Sequence, residues 1–221
     1  MRSMTELRVP RRFNGPPDSA NGGYLGGLLA QRVDAAAVTV VLRSPPPLDT
    51  AMTVGGGQLL HDATLVAEFG PGELEDDAPQ AVSYDRAVEA GQFYRSSDTF
   101  SSCFVCGSAR ADGLRIGPGP VLDDTVAAPW IPDDSLAVDT ALLWAALDCP
   151  GAWSLPEMLV RPAVLGRMTA AVPDLPEVGE QCVTVGRLRG ESGRKAFAST
   201  AVYGSDGRLL GRAEQVWIRL P

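Results

Sequence analysis

The stretch from Val138 to Trp153, VDTALLWAALDCPGAW, constrains the fold more than any other part of the chain. Between Ala141 and Leu147 no side chain is polar, so the segment has no face to present to water. A helix that is apolar all round is one that other structure wraps on every side. Asp148 follows, then Cys149, Pro150 and Gly151. Proline and glycine stop helices, and the pattern predicts a helix over 138–148. An aspartate in the last turn would face the negative end of the helix dipole, and burial would raise its pKa. Two readings stand. Asp148 accepts backbone N–H bonds from the turn that follows, or it is a catalytic carboxylate, since perturbed acids gather at functional sites.

Charge narrows the partners. The formal net charge is −8, which argues against nucleic acid and against an anionic membrane surface. Lys195 is the only lysine among 19 basic residues, a usage that hints at a GC-rich bacterial genome. No apolar run is long enough to span a bilayer, and MRSMTELRVPRRF lacks the apolar segment of a signal peptide. The expected compartment is the cytoplasm. Of four cysteines, Cys103 and Cys106 form a CxxC, while Cys149 and Cys182 stand alone in the sequence. Structural zinc wants a second pair or matched histidines, and His61 is the only histidine. The expectation is no metal site, a structural CFVCG and reduced, buried thiols.

A second apolar helix is predicted at Gly22–Val33, GGYLGGLLAQRV, with Ser19 and Asn21 as candidate N-caps. Its four glycines each cost about 1 kcal/mol against alanine, which makes sense if something approaches the backbone closely. Strand patterns lie at 7–13, 37–43, 52–54, 58–60 and 64–69. After a Gly/Pro/acidic linker at 70–79 and a short helix at 83–90 the pattern starts again. Strands are predicted at 103–116 in part, 125–129, 164–172, 181–188, 195–203 and 209–220. Val38–Val54 is similar to Gly166–Val185, each a strand broken at a proline-rich turn, and His61–Phe69 is similar to Ser205–Ala213. A repeat near 100 residues reads as a duplicated domain whose first copy is shortened, with a boundary at 95/96 between units 1–95 and 96–221.

Three stretches carry a family resemblance. SANGGYLGGLLA (Ser19–Ala30) resembles a helix opening usually written with a histidine before two glycines. CFVCGSARADGLRI (Cys103–Ile116) is similar to a Cys-rich opening of hotdog thioesterases. LWAALDCPGAW (Leu143–Trp153) resembles the second-domain helix of the type II acyl-CoA thioesterases. The whole chain thus resembles a tandem hotdog protein. The resemblance implies an α+β fold of two hotdog units, each a curved antiparallel sheet around one central helix, packed as a pseudo-dimer with sheets joined edge to edge. In that group an aspartate, a glutamine and a threonine orient a water for attack on the thioester. The aspartate falls on Asp148 and the glutamine on Gln215. Ala163 stands where the threonine is expected, with Thr169 out of register, and Asn21 replaces the histidine.

The implied function is hydrolysis of a small-molecule acyl thioester, with Asp148 and Gln215 catalytic and Asn21, Gly22 and Gly23 binding substrate. No cofactor is implied beyond the coenzyme A moiety of the substrate, and a homo-oligomer is compatible with exposed sheet edges. Chemically, N–H groups at a helix N-terminus are unpaired, and Gly22 and Gly23 would let a carbonyl reach them as an oxyanion hole, where one donor is worth about 3 kcal/mol. Close packing of the helix on a sheet explains the same glycines equally well. The amide of Gln215 can donate to the carboxylate and keep part of it ionised, as a general base requires. Arg167, Arg187, Arg189 and Arg194 read as a solvated strand face, and Trp144, Trp153 and Trp217 as core and interface. A non-catalytic acyl-thioester binding protein is the rival from another class. A hotdog hydratase or dehydratase is the rival enzyme, disfavoured because the sole histidine sits in a turn.

Overall fold

The computed structural model describes residues 4–221; the first three residues of the expected unit 1–95 lie outside the described residues. The strands are β1 (Thr5–Leu7), β2 (Val38–Leu42), β3 (Met52–Gly55), β4 (Gln58–His61), β5 (Thr64–Pro71), β6 (Gly119–Leu122), β7 (Thr125–Trp130), β8 (Ala163–Ala171), β9 (Cys182–Ser192), β10 (Lys195–Tyr203) and β11 (Leu209–Arg219). The helices are α1 (Gly22–Ala30), α2 (Tyr84–Gly91) and α3 (Thr140–Trp153). The expected strand at 7–13 is instead β1 and a separate 3-10 turn at Arg11–Phe13 opened by Pro10, which has no N–H for a ladder.

All eleven strands form one antiparallel sheet in the order β1-β3-β4-β5-β2-β8-β11-β10-β9-β7-β6. The halves of the chain meet where β2 pairs with β8, Thr39 opposite Thr169 and Val40 opposite Met168. Outward from this junction the order is mirrored: β2, β5, β4, β3, β1 on one side and β8, β11, β10, β9, β7 on the other. Pairing these two edges removes both from solvent. The first half's β3 and β4 have 4 residues each against 11 and 9 in β9 and β10. α2, from the first segment, packs Ala87 against Ala127, Val183 and Val185 of β7 and β9. No helix among the described residues is long and apolar enough to cross a membrane.

One core runs through both halves, with Leu25 and Leu29 of α1, Leu143, Trp144 and Leu147 of α3 and Met168 of β8 all fully buried. Gly23, Gly26 and Gly27 of α1 make the contact between the two helices, while Gly22 lies against Leu42 and Leu165 of the sheet. A Cβ on Gly23 would lie 2.5 Å from the Asp148 Cβ and 2.6 Å from the Trp144 carbonyl oxygen, and one on Gly27 would lie 2.4 Å from the Ala141 Cα. What approaches the backbone of α1 is therefore α3. Alanine normally improves a helix by about 1 kcal/mol over glycine, but at 27 the added methyl meets backbone that cannot rotate away. We expect Gly27→Ala to lower stability by about 1–3 kcal/mol, the cost of overpacking, read as a reduced midpoint in denaturant unfolding at unchanged slope.

α3 corrects the expected helix at both ends. It begins at Thr140 because the Asp139 carboxylate accepts from the Leu142 N–H at 2.9 Å. It also runs through Pro150 to Trp153 rather than stopping at Asp148. Proline inside a helix removes one backbone bond. Here the Gln215 amide of β11 donates to the carbonyls of Leu147 at 2.8 Å and Asp148 at 3.2 Å. Gly186 of β9 leaves room for the Pro150 carbonyl, which would stand 2.1 Å from a Cβ there. Asp148 consequently lies in the body of α3 and not in its last turn.

Candidate active site

Asp148 is 3% exposed. Its Oδ2 accepts from the Asn21 side-chain amide at 2.7 Å and from the Gly23 N–H at 3.1 Å. The second acceptor bond comes from the first turn of α1, so the carboxylate faces the positive end of that helix, a favourable placement. The expected clash with the negative end of its own helix does not arise. The other oxygen, Oδ1, is buried and has no hydrogen-bond partner among the described residues. Burial pushes the Asp148 carboxyl up to about 7, opposed by the Gly23 N–H; nearby Cys103 raises it further and the Asn21 amide lowers it.

Asn21 has two duties. Its Oδ1 accepts from the Tyr24 N–H at 2.8 Å as the N-cap of α1, while its Nδ2 holds Asp148. One planar amide thereby links the start of one helix to the middle of the other. Of the two candidate caps in the sequence, Asn21 is the one used.

Asp148, Asn21 and Gly22 line a cavity of about 390 Å³. Its walls include Leu42, Phe100, Met158, Leu165, Trp217 and Ile218, with Arg43 and Ser44 also bordering it. Such a mostly apolar hollow with few polar groups is the usual form of a small-molecule site. Arg43 pairs with Glu68 at 2.6 Å. Ala163 also lines the cavity, and Thr169 is turned elsewhere, its hydroxyl 2.8 Å from that of Thr39. Of the arginines read as a solvated face, Arg187 pairs with Asp124 and Arg189 with Asp76. His61 does not border the cavity; its ring lies 3.8 Å from Asp62 at the turn after β4.

Two expectations about geometry are corrected. The Gln215 amide does not reach the Asp148 carboxylate: it donates to the carbonyls of Leu147 and Asp148, and its oxygen accepts from the Trp217 indole at 2.9 Å. Gln215 faces the backbone of α3 in the turn just before Pro150. The Gly23 N–H does not await a ligand, since Asp148 Oδ2 already occupies it. Gly22, which opens the helix, does border the cavity.

A third feature was invisible in the sequence. Cys149 is not isolated: its Sγ lies 3.8 Å from that of Cys103, and the sulfurs of Cys103, Cys106 and Cys149 are all within 4.8 Å of one another. The signal was the CxxC alone; nothing local to Cys149 announces a partner 46 residues away.

No family model matches the sequence, and a comparison with curated proteins finds no match. Solved structures do match. The tesB protein of Mycobacterium avium subspecies paratuberculosis superposes with a TM-score of 0.64 at 13% identity, over 99% of this chain and 93% of that one. The acyl-CoA thioesterase II TesB2 of Mycobacterium marinum gives 0.62 at 12% identity, over 98% and 93%. A conserved protein of unknown function with hot dog fold from Alicyclobacillus acidocaldarius gives 0.61 at 14%, over 100% and 96%. With an antiparallel sheet against two buried helices and this likeness over nearly its full length, the chain has the hotdog fold.

Proposed function

We propose that this chain is an acyl-CoA thioesterase-like hydrolase, in which Asp148 activates water for attack on an acyl thioester. One observation carries the reading. A buried carboxylate that lines an apolar cavity has one oxygen fixed by Asn21 and Gly23 and the other without a partner among the described residues. Burial without a paired cation is what gives a carboxyl group proton affinity suited to a general base. A water held on Oδ1 loses a proton to Asp148 as its oxygen bonds to the thioester carbon. The tetrahedral intermediate collapses, the carbon–sulfur bond breaks, and the proton passes from Asp148 to the departing thiolate. Gly22 at the start of α1 supports the carbonyl oxygen, because the opening N–H groups of a helix have no acceptor within it.

Gln215 serves in this reading as a positioning residue. By holding the carbonyls of Leu147 and Asp148 it fixes the turn of α3 that carries the carboxylate. Asn21 and Gly23 orient the base and do not bind substrate directly, a change from the roles implied by the resemblance. The mirrored strand order supports two hotdog units joined as a pseudo-dimer, 1–95 and 96–221, with α2 crossing to cover the second unit's strands. The site then belongs to both units. The substrate is a small molecule, the compartment the cytoplasm, and nucleic acid and membrane have no part.

A second reading has its own support. Ala163 borders the cavity where the thioesterase resemblance implies a threonine, which favours an acyl-thioester binding protein that does not hydrolyse. Thiol release over short, medium, long and aromatic acyl-CoAs separates the two. We expect saturable release with at least one class. Tight binding of an acyl-CoA with release no faster than in buffer would establish the binding protein.

A further inference from the structure

The three sulfurs beside the cavity form a set that the hydrolase reading does not use. Cys103 and Cys106 come from the loop after the 3-10 turn Asp98–Phe100, and Cys149 from α3. The loop folds back on itself, with the Gly107 N–H on the Cys103 carbonyl at 2.9 Å. A Cβ at 107 would meet that oxygen at 2.4 Å. All three cysteines are buried and unoxidised.

We infer that Cys103, Cys106 and Cys149 form a three-thiolate site for a soft metal ion, Zn²⁺ by preference, with its fourth position open to a water or small ligand from the cavity. Zn–S bonds of about 2.3 Å in a tetrahedron put neighbouring sulfurs about 3.8 Å apart. Cys103 and Cys149 stand at 3.8 Å already, and the third sulfur is within 4.8 Å of both. All three cysteines border the cavity, and among the described residues no other metal-ligating side chain joins the set. Three protein ligands with one open position is a recurrent zinc arrangement.

Buried cysteines also pack as small apolar side chains, but packing alone does not ask for polar support. Here Cys106 has such support. Tyr94 and Trp153 meet edge to face at 5.0 Å, and the Tyr94 hydroxyl donates to the Cys106 carbonyl at 2.7 Å. Such outer groups orient metal ligands in general. Zn²⁺ suits the site because it has no geometric preference of its own and because its charge offsets most of that of three buried thiolates. The inference does not rest on hydrolase activity.

The test uses the full chain, purified under reducing conditions, stripped with a chelator and then loaded with Zn²⁺ or Co²⁺. About one equivalent of Zn²⁺ per chain is expected, and Co²⁺ should give a thiolate-to-metal charge-transfer band with the intense visible bands of a four-coordinate site. In Cys149→Ser, checked for folding by circular dichroism, retained metal falls about tenfold or more, while Cys182→Ser retains it. X-ray absorption on the zinc-loaded wild type needs no variant: it should show about three sulfurs at 2.3 Å and one lighter atom. A wild type that takes up no Co²⁺ band, a zinc shell of nitrogen and oxygen alone, or an undiminished band in folded Cys149→Ser overturns the site.

Discussion

Asp148→Asn is expected to lower turnover of the best acyl-CoA by about 10²–10⁴-fold, the range over which a positioned general base contributes. The fold should survive it. An asparagine carbonyl can take the place of Oδ2 and accept from the Asn21 amide and the Gly23 N–H. Its NH₂ then replaces Oδ1, which has no partner to lose among the described residues. A buried acid is exchanged for a neutral isostere, so the melting temperature stays the same or rises. The structural reading of Asp148 forecasts the reverse: a loss of about 1–3 kcal/mol as hydrogen bonds weaken, with activity per folded molecule unchanged. Melting temperature and turnover measured on one preparation decide between them, and full turnover in Asp148→Asn removes the catalytic assignment.

Asn21→Ala should be damaging on both counts. The variant loses the N-cap of α1, worth about 0.5–2 kcal/mol. It also strips the 2.7 Å bond from a buried carboxylate, where a bond to a charged group is worth about 1.5–3 kcal/mol. With Oδ2 held by the Gly23 N–H alone, the carboxylate is free to rotate and turnover falls with stability. Asn21→Ser separates the duties. A serine hydroxyl can cap the helix but is too short to span to Asp148, so it should restore most of the stability and little of the turnover. Denaturant midpoints and kcat for the pair are the measurement. Equal recovery of both in Asn21→Ser would show that Asn21 matters as a cap only.

Much of this was legible in the sequence, for reasons that differ by residue. The buried helices could be read because seven successive apolar residues leave no alternative, and the glycines of α1 because they are costly unless something comes close. Which partner came close was not readable: packing and ligand approach explained Gly22 and Gly23 equally well, and the structure places Leu42 and Leu165 of the sheet against Gly22 and α3 against Gly23. The end of α3 was misjudged because Pro150 and Gly151 act locally, whereas the Gln215 amide that holds the carbonyls before them comes from a strand 67 residues after Asp148. For the same reason Gln215 was expected at the carboxylate and is found at the carbonyls beside it. Cys149 looked isolated because its partners meet it only through the loop that folds beneath α3. In each case the missing information was tertiary and the residue types alone were neutral.

The junction at β2 and β8 has a consequence for how the chain folds. Asn21 and Gly23 must wait for a residue 125 to 127 positions further on, and β2 must wait about as long for the strand that covers its outer side. During synthesis the first half therefore emerges with one sheet edge open and the glycine face of α1 bare. Contacts between residues so far apart make folding slow, because loop closure precedes any reward, and exposed edges and apolar faces in that interval are what aggregate. The same long-range pairing that completes the site makes the first half an unfinished object until the second has been made, and a stalled or truncated chain ending before α3 has no partner for either surface.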